Sequence, residues 1–184
     1  MSLMENSTQE LLSSGAWSVD TAHSTIEFRV KHMMIQTVKG RFRDFFGAIV
    51  AGDNPSVTGT INVESLETLH ADRDAHLRSP DFFDIERYPQ ITFQAAEIEF
   101  NGDGRHFTLP GELTIKGITR PITLDGEVRG SVVDGESRWV ALALSGQIER
   151  SDYGLVWNRV LEGGGVLVAD TVELVLDVAA LRVD

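Results

Sequence analysis

Cysteine is absent from this chain of 184 residues. The absence excludes disulfide bonds, thiolate metal sites and cysteine nucleophiles, and it fits a reducing compartment. No apolar stretch approaches the roughly 20 residues of a transmembrane helix. The first residues also lack the basic start and apolar run that an export signal needs. We therefore expect a cytoplasmic protein without stable membrane insertion.

Positive charge is scarce as well. The chain has 16 Lys and Arg against 28 Asp and Glu, which gives a net charge of −12 at pH 7. Nucleic acids and anionic membrane surfaces both attract basic faces. The charge balance therefore argues against either as a partner, and a solubility role is its simplest explanation.

Only five prolines are present, whereas glycine occurs 17 times and 42% of the residues are hydrophobic. This content suits one domain with a sizeable core. The first residues are mostly polar and offer little apolar surface with which to offset the entropy of ordering. We predict a loosely docked tail over residues 1–16 and a single domain over residues 17–184, beginning at Trp17.

Apolar and polar residues alternate along much of the chain, which is typical of half-buried strands. Between Ser24 and His32, for example, Ile26, Phe28 and Val30 share one face. About eight such segments follow one another at intervals of roughly 8 to 12 residues, which predicts an antiparallel sandwich or barrel. A barrel of about eight strands can enclose one small ligand.

A helical pattern interrupts this alternation between residues 68 and 84. Thr68 can cap a first short helix in which Asp74 and Arg78 are four residues apart. Ser79 and Pro80 suit the start of a second short helix. The strand period returns after Pro89, so the sequence predicts a short helical insertion in an all-β protein.

Two segments, RDAHLRSPDFFDIERYPQITF from Arg73 and GELTIKGITRPITL from Gly111, resemble the YceI-like family of lipocalin-like barrels. The similarity continues in IERSDYGL from Ile148 and VLVADTVEL from Val166. It implies a lipocalin-like antiparallel β-barrel with the helical insertion at its mouth, a polyisoprenoid-like ligand, and pairing into a homodimer. One departure is Ala95-Ala96, where the family pattern usually has Ser-Thr.

The sequence favours a binding or carrier protein that holds a long-chain apolar lipid inside the barrel. We expect the ligand to contact apolar strand faces and the insertion, with Arg73 and Arg78 near a head group at the mouth. Each aromatic residue taken singly is better explained as core, whereas the set in a barrel of this size indicates an apolar pocket. The predicted contacts are Phe28, Val30, His32, Phe42, Arg73, His76, Arg78, Phe82, Phe93 and Trp139.

Catalytic and metal-binding patterns are not found in the sequence. No Gly-x-Ser-x-Gly elbow is present, and the five histidines lack the spacing of a metal-binding helix. We predict no catalytic residue, no metal and no cofactor. Two alternatives stay open: an enzyme that acts on a lipid-like or isoprenoid substrate in the same cavity, and a stress-linked barrel filled by its own side chains.

Overall fold

A computed structural model describes residues 12–184. The described part contains twelve strands and one α-helix, α1 (Ala71–Arg78), and none of its helices has the length and hydrophobicity to cross a membrane. The strands are β1 (Gly15–Val19), β2 (Thr25–His32), β3 (Gln36–Phe42), β4 (Phe45–Ala51), β5 (Ser56–Asn62), β6 (Leu66–Glu67), β7 (Gln90–Ala95), β8 (Glu99–Phe100), β9 (His106–Ile115), β10 (Ile118–Asp134), β11 (Ser137–Glu149) and β12 (Val168–Arg182).

Eight of these strands form a closed antiparallel ring in the order β1, β4, β5, β7, β9, β10, β11, β12. The ring closes where Trp17 on β1 pairs with Arg182 on β12. Trp17 is only 1% exposed, so its indole fills the core beside this seam. The predicted all-β barrel of about eight strands with a short helical insertion is confirmed.

Strands β1 and β2 behave as one long strand with a bend, because both pair with β12. At the bend, Asp20 caps a short 3-10 turn, and the Ser24 hydroxyl accepts a hydrogen bond from the backbone N–H of Ala179 at 2.9 Å. Strands β3 and β4 also follow one another in the chain but have different partners. Strand β4 pairs with β5, whereas β3 pairs with β2 and with the two-residue β6. The wall is therefore open beside β3, at the end where the helical insertion lies.

The insertion differs in detail from the sequence prediction. Helix α1 is capped by His70, whose ring nitrogen accepts from the N–H of Arg73. Thr68 does not cap the helix; its hydroxyl and N–H donate to the Asp74 carboxylate instead. Asp74 is therefore occupied by Thr68 rather than paired with Arg78. The predicted second helix is wrong too, because residues 79–88 form successive turns.

Inward-facing glycines make room for aromatic rings that lie flat against the barrel wall. The Phe28 ring covers Gly40, the Phe93 ring covers Gly111, and a Cβ on either glycine would overlap the ring. The Phe107 ring covers Gly126 on β10 in the same way. These rings thicken the wall instead of filling the centre of the barrel.

Arg150 fastens the loop between β11 and β12. Its guanidinium donates to the backbone carbonyls of Leu155, Trp157, Val168 and Ala169 at 2.5 to 3.2 Å. The residue is only 5% exposed. Hydrogen bonds from a charged donor are stronger than neutral ones, and the Val168 carbonyl also accepts from the Asn158 amide at 2.7 Å. One side chain thus joins both ends of the loop.

The chain is already docked a few residues before Trp17. The Ser13 carbonyl accepts a hydrogen bond from the Trp17 indole at 3.1 Å, the Ser13 hydroxyl accepts from Arg182, and Leu12 packs against the core. The loosely docked tail was predicted over residues 1–16, so residues 12–16 differ from that prediction, since Gly15 and Ala16 already belong to β1. For residues 1–11 the prediction lies outside the described residues.

We expect Gly126→Ala to lower the free energy of unfolding by about 1 to 3 kcal/mol, because the new methyl group displaces the Phe107 ring. Gly130→Ala on the same strand is the matched control, since a Cβ there meets no atom within 4 Å. Urea unfolding of both variants measures the difference. Equal stabilities would contradict the packing described for Phe107.

We also expect Arg150→Lys to destabilise the protein by about 2 to 4 kcal/mol, because one ammonium group cannot serve four separate carbonyls. Arg159→Lys in the same loop is the control, since Arg159 is exposed and should tolerate the change within about 0.5 kcal/mol. Thermal unfolding of both variants is the measurement. An Arg150→Lys protein as stable as the control would show that the four bonds are dispensable.

Candidate functional site

A cavity of about 250 Å³ lies inside the barrel. Of its lining residues, all are apolar or glycine except Glu27, Thr58, Thr60 and Arg150. Its volume is a little below the roughly 300 to 1,000 Å³ of most small-molecule sites. The described space therefore admits a slender apolar group, and a bulkier one requires the lining side chains to move outward.

Five of the ten predicted contact residues line this cavity: Phe28, Val30, Phe42, Phe82 and Phe93. Phe28 and Val30 point inward from β2, where alternate residues share a face. On β3, Phe42 lies diagonally across from Phe28, and their ring centroids are 5.5 Å apart. These two rings share one wall, whereas Phe93 lies on β7 and Phe82 in the insertion.

Arg73 and Arg78 lie outside the cavity lining. Arg73 donates to the hydroxyl and the carbonyl of Thr68, both at 2.8 Å. Arg78 donates to the carbonyls of Glu64 and Leu66. Both guanidinium groups therefore tie α1 to the preceding segment. A contact with a ligand head group stays a prediction.

His76 also lies outside the lining, but it belongs to an aromatic cluster above the cavity. Its ring packs edge-on against Phe82 and Trp157, with centroid distances of 5.1 and 4.7 Å. Its Nε2 lies 2.8 Å from the Asp81 carboxylate. Since Phe82 lines the cavity, this cluster connects α1 and the loop after Arg150 to the roof of the site. Sequence reasoning missed Trp157, which lies in a loop without strand alternation.

The remaining two predicted residues are not brought to the cavity. His32 is the last residue of β2 and lies beside Val168, beyond the inward-facing Val30. Trp139 precedes Val140, which is 1% exposed and faces the core. Because successive side chains of a strand point to opposite faces, Trp139 faces outward.

Lining residues on several other strands were missed in the sequence, although they follow the same alternation. Periodicity predicts which strand face is buried but not which buried residues border an open space. The missed aromatic and aliphatic lining residues include Phe45, Ile91, Phe107, Leu113 and Leu144.

Arg150 is the one strongly buried charge of the lining in the described part of the chain. Burial lowers the pKa of its guanidinium, and the carboxylate of Asp170 acts in the opposite direction. None of the carboxylates among residues 12–184 lies within 4 Å of it, so carbonyl oxygens alone surround the cation. All its contacts are to the backbone, which makes it a support for the site's rim.

The cavity lining offers few side chains that could act as a catalytic acid or base. Glu27 is the one carboxylate of the lining, and it forms an ion pair with Arg29 at 2.8 Å. Because Glu27 follows the inward-facing Ile26, its side chain lies on the outer face of β2. Within residues 12–184, no group of three or more metal-binding side chains comes together. The arrangement is therefore suited to holding an apolar group away from water.

Comparison with known proteins agrees with this geometry. The family model described as YceI-like domain matches residues 17–180. A UPF0312 protein of Staphylococcus aureus strain N315 is 38% identical over 165 residues, which cover 85% of this chain and 92% of that protein. These matches extend over nearly the whole barrel.

Solved structures show the same fold. Burkholderia cenocepacia BcnA superposes with a TM-score of 0.74 at 25% identity, covering 88% of this chain and 98% of that one. A polyisoprenoid binding domain from Saccharophagus degradans, implicated in plant cell wall breakdown, gives a TM-score of 0.69 at 16% identity, covering 91% and 98%. The family model and the staphylococcal relative each cover most of the chain: this chain belongs to the YceI-like family.

Proposed function

We propose that this protein binds or carries a long-chain apolar lipid of polyisoprenoid type and holds its tail inside the barrel. The observation that carries the proposal is the cavity of about 250 Å³ with its almost wholly apolar lining. The polyisoprenoid binding domain of Saccharophagus degradans has the same fold, which supports the choice of lipid.

The energetic cost of an empty cavity supports an occupant. An unfilled apolar space deprives its lining side chains of packing contacts, and the loss grows with the unfilled volume. A ligand that fills the cavity restores part of those contacts.

The chemistry of a long tail matches the binding free energy that such a site can supply. Each buried CH₂ contributes about 0.8 kcal/mol, so ten of them give about 8 kcal/mol before the costs of association. Micromolar binding corresponds to about 8 kcal/mol net of those costs, so a tail that buries more than ten such groups reaches it without any charged contact. Burial of apolar surface thus holds the tail without a charged contact, and the polar head group stays at the rim of the barrel.

Binding is better supported than catalysis. An enzyme requires an acid, a base or a nucleophile aimed at the substrate. In this cavity Arg150 is bonded to four carbonyls and Glu27 to Arg29. The presence of the cavity argues against the other alternative, a barrel filled by its own side chains. The cytoplasmic location predicted from the sequence stays a prediction.

Gly59 allows a direct test of where the lipid lies. It faces inward on β5, and a Cβ placed there has its nearest neighbours at 3.8 and 4.0 Å. We expect Gly59→Leu to fold but to occupy the space that the tail needs. Lipid extracted from the purified protein and identified by mass spectrometry should fall at least fivefold relative to wild type.

Gly130→Leu is the matched control, because a Cβ at Gly130 meets no atom within 4 Å and Gly130 lies on the outer face of β10, opposite Ala141. It should carry as much lipid as wild type. Melting curves establish that both variants are folded. The proposal fails if folded Gly59→Leu retains the wild-type lipid, or if wild type neither carries nor takes up a long-chain isoprenoid.

The homodimer implied by the family resemblance also stays a prediction. Sedimentation velocity at micromolar concentration should give a species of about 40 kDa, twice the 20.3 kDa of the chain. Symmetric pairs are the commonest assemblies of soluble proteins. A single species of monomer mass across this concentration range would contradict it.

A further inference from the structure

The hairpin of β2 and β3 ends in large apolar side chains that nothing in the described chain covers. Met33, Met34 and Ile35 form its turn, and Met34 and Ile35 are 64% and 79% exposed. The loop before β12 adds Val160 and Val166, which pair with each other across an isolated bridge. The Met34 sulfur packs over Gly165, so hairpin and loop form one surface. We call these five residues the apolar tip.

The backbone of the turn is unfavourable for the residues that occupy it. Met33 and Met34 have φ values of 54° and 64°, in the left-handed region. Positions with positive φ in hairpin turns are usually occupied by Asn, Asp or Gly, because β-carbons are disfavoured there. Two methionines therefore strain the turn while exposing flexible apolar groups, which are well suited to adaptable contacts. Core packing gives no reason for this choice.

Basic residues flank the tip. Residues 28 to 43 contain five Lys or Arg and no Asp or Glu, in a chain whose net charge is −12. Arg29, Arg41 and Arg43 have carboxylate partners in Glu27 and Glu67. Lys31 and Lys39 form no ion pair with residues 12–184, and both are exposed.

The dimensions of the hairpin suit a lipid surface. At about 3.4 Å per residue, Lys31 lies about 7 Å from Met33 and Lys39 lies about 14 Å from Ile35. Apolar groups of interfacial proteins enter about 5 to 10 Å into the boundary between head groups and acyl chains. With the apolar tip at that depth, Lys31 lies among the phosphates, and the long side chain of Lys39 reaches toward them.

The tip also lies at the end of the barrel where the cavity meets the insertion. Val30 and Val168 both line the cavity. Val30 is three residues from Met33 in the hairpin turn, and Val168 follows Leu167, whose carbonyl accepts a hydrogen bond from the Met33 N–H. Trp157, in the adjoining loop, packs on the cavity residue Phe82. A surface docked through the tip therefore faces the end of the site at which a tail would enter.

We propose that the apolar tip and its basic flank dock this protein reversibly onto an anionic phospholipid surface. The net charge of the whole chain argues against such a partner, but attraction near a membrane decays within a Debye length of about 8 Å. The charges closest to the surface therefore dominate. In the loop that carries Val160 and Val166, the exposed Arg159 and Glu162 offset each other, so Lys31 and Lys39 leave the docking face with a net positive charge. Docking does not depend on what the cavity holds.

The test uses the full chain and sedimentation of vesicles made of phosphatidylcholine alone or with one third phosphatidylglycerol. We expect binding to the anionic vesicles at low salt, weaker binding at 0.5 M salt, and little binding to neutral ones. Met34→Asp with Ile35→Asp should reduce binding more than tenfold. Asp tolerates the left-handed conformation better than Met does, so this variant should remain folded.

Lys31→Gln with Lys39→Gln should weaken binding by about ten- to thirtyfold, since each basic residue near an anionic surface contributes about a factor of five. The matched control is Val132→Asp with Val133→Asp. These two valines are 61% and 62% exposed at the β10–β11 hairpin, which lies at the other end of the barrel beside Asp134 and Glu136. This variant should bind as wild type does.

Three results would overturn the proposal. The first is absence of wild-type binding to anionic vesicles at low salt. The second is equal loss of binding in the tip variant and in the valine control, which would indicate a nonspecific effect of added negative charge. The third is a wild-type dimer that the tip variant converts to monomer while neither protein binds vesicles, which would assign the tip to a second copy of the chain. Because lipid content is not the readout, these results are separate from failure of the carrier function.

Discussion

Strand β12 hydrogen-bonds to β1 near its C-terminal end and to β2 along most of the rest of its length. This double pairing requires the bend that Asp20 and Ser24 stabilise between the two strands. It closes the barrel at one end and leaves β3 without a full partner at the other. The insertion, the aromatic cluster around Trp157 and the basic hairpin all lie at that open end. The position of the candidate site therefore follows from how the sheet closes.

The cavity depends on a second feature of the wall, the placing of rings over inward-facing glycines. Phe28 over Gly40 and Phe93 over Gly111 lie against the sheet instead of meeting in the middle. A barrel of this size could otherwise be filled by its own side chains. Because the glycines let these rings lie against the wall, the rings line an apolar space instead of filling the core. The unfilled space lowers the stability of the barrel, and an apolar ligand would reduce that loss.

Alternation of apolar and polar residues predicted about eight strand segments, fewer than the twelve strands of the described part, and the likeness to YceI-like proteins selected the barrel. The same alternation predicted that Phe28, Val30 and Phe93 face inward, as they do. It could not predict the bonding of Arg73, because its acceptors are a hydroxyl and a carbonyl of Thr68 positioned by the folded insertion. Arg150 was missed for a related reason: four carbonyls distant in the loop surround it only after folding.

The proposal for the lipid depends on the tail lying within the barrel. A crystal structure of the protein incubated with a long-chain isoprenoid tests this most directly. The account predicts continuous tubular density between Phe28, Phe42 and Phe93, with the polar end toward Trp157. An empty barrel in a crystal where the lipid is bound on the outer surface would contradict it.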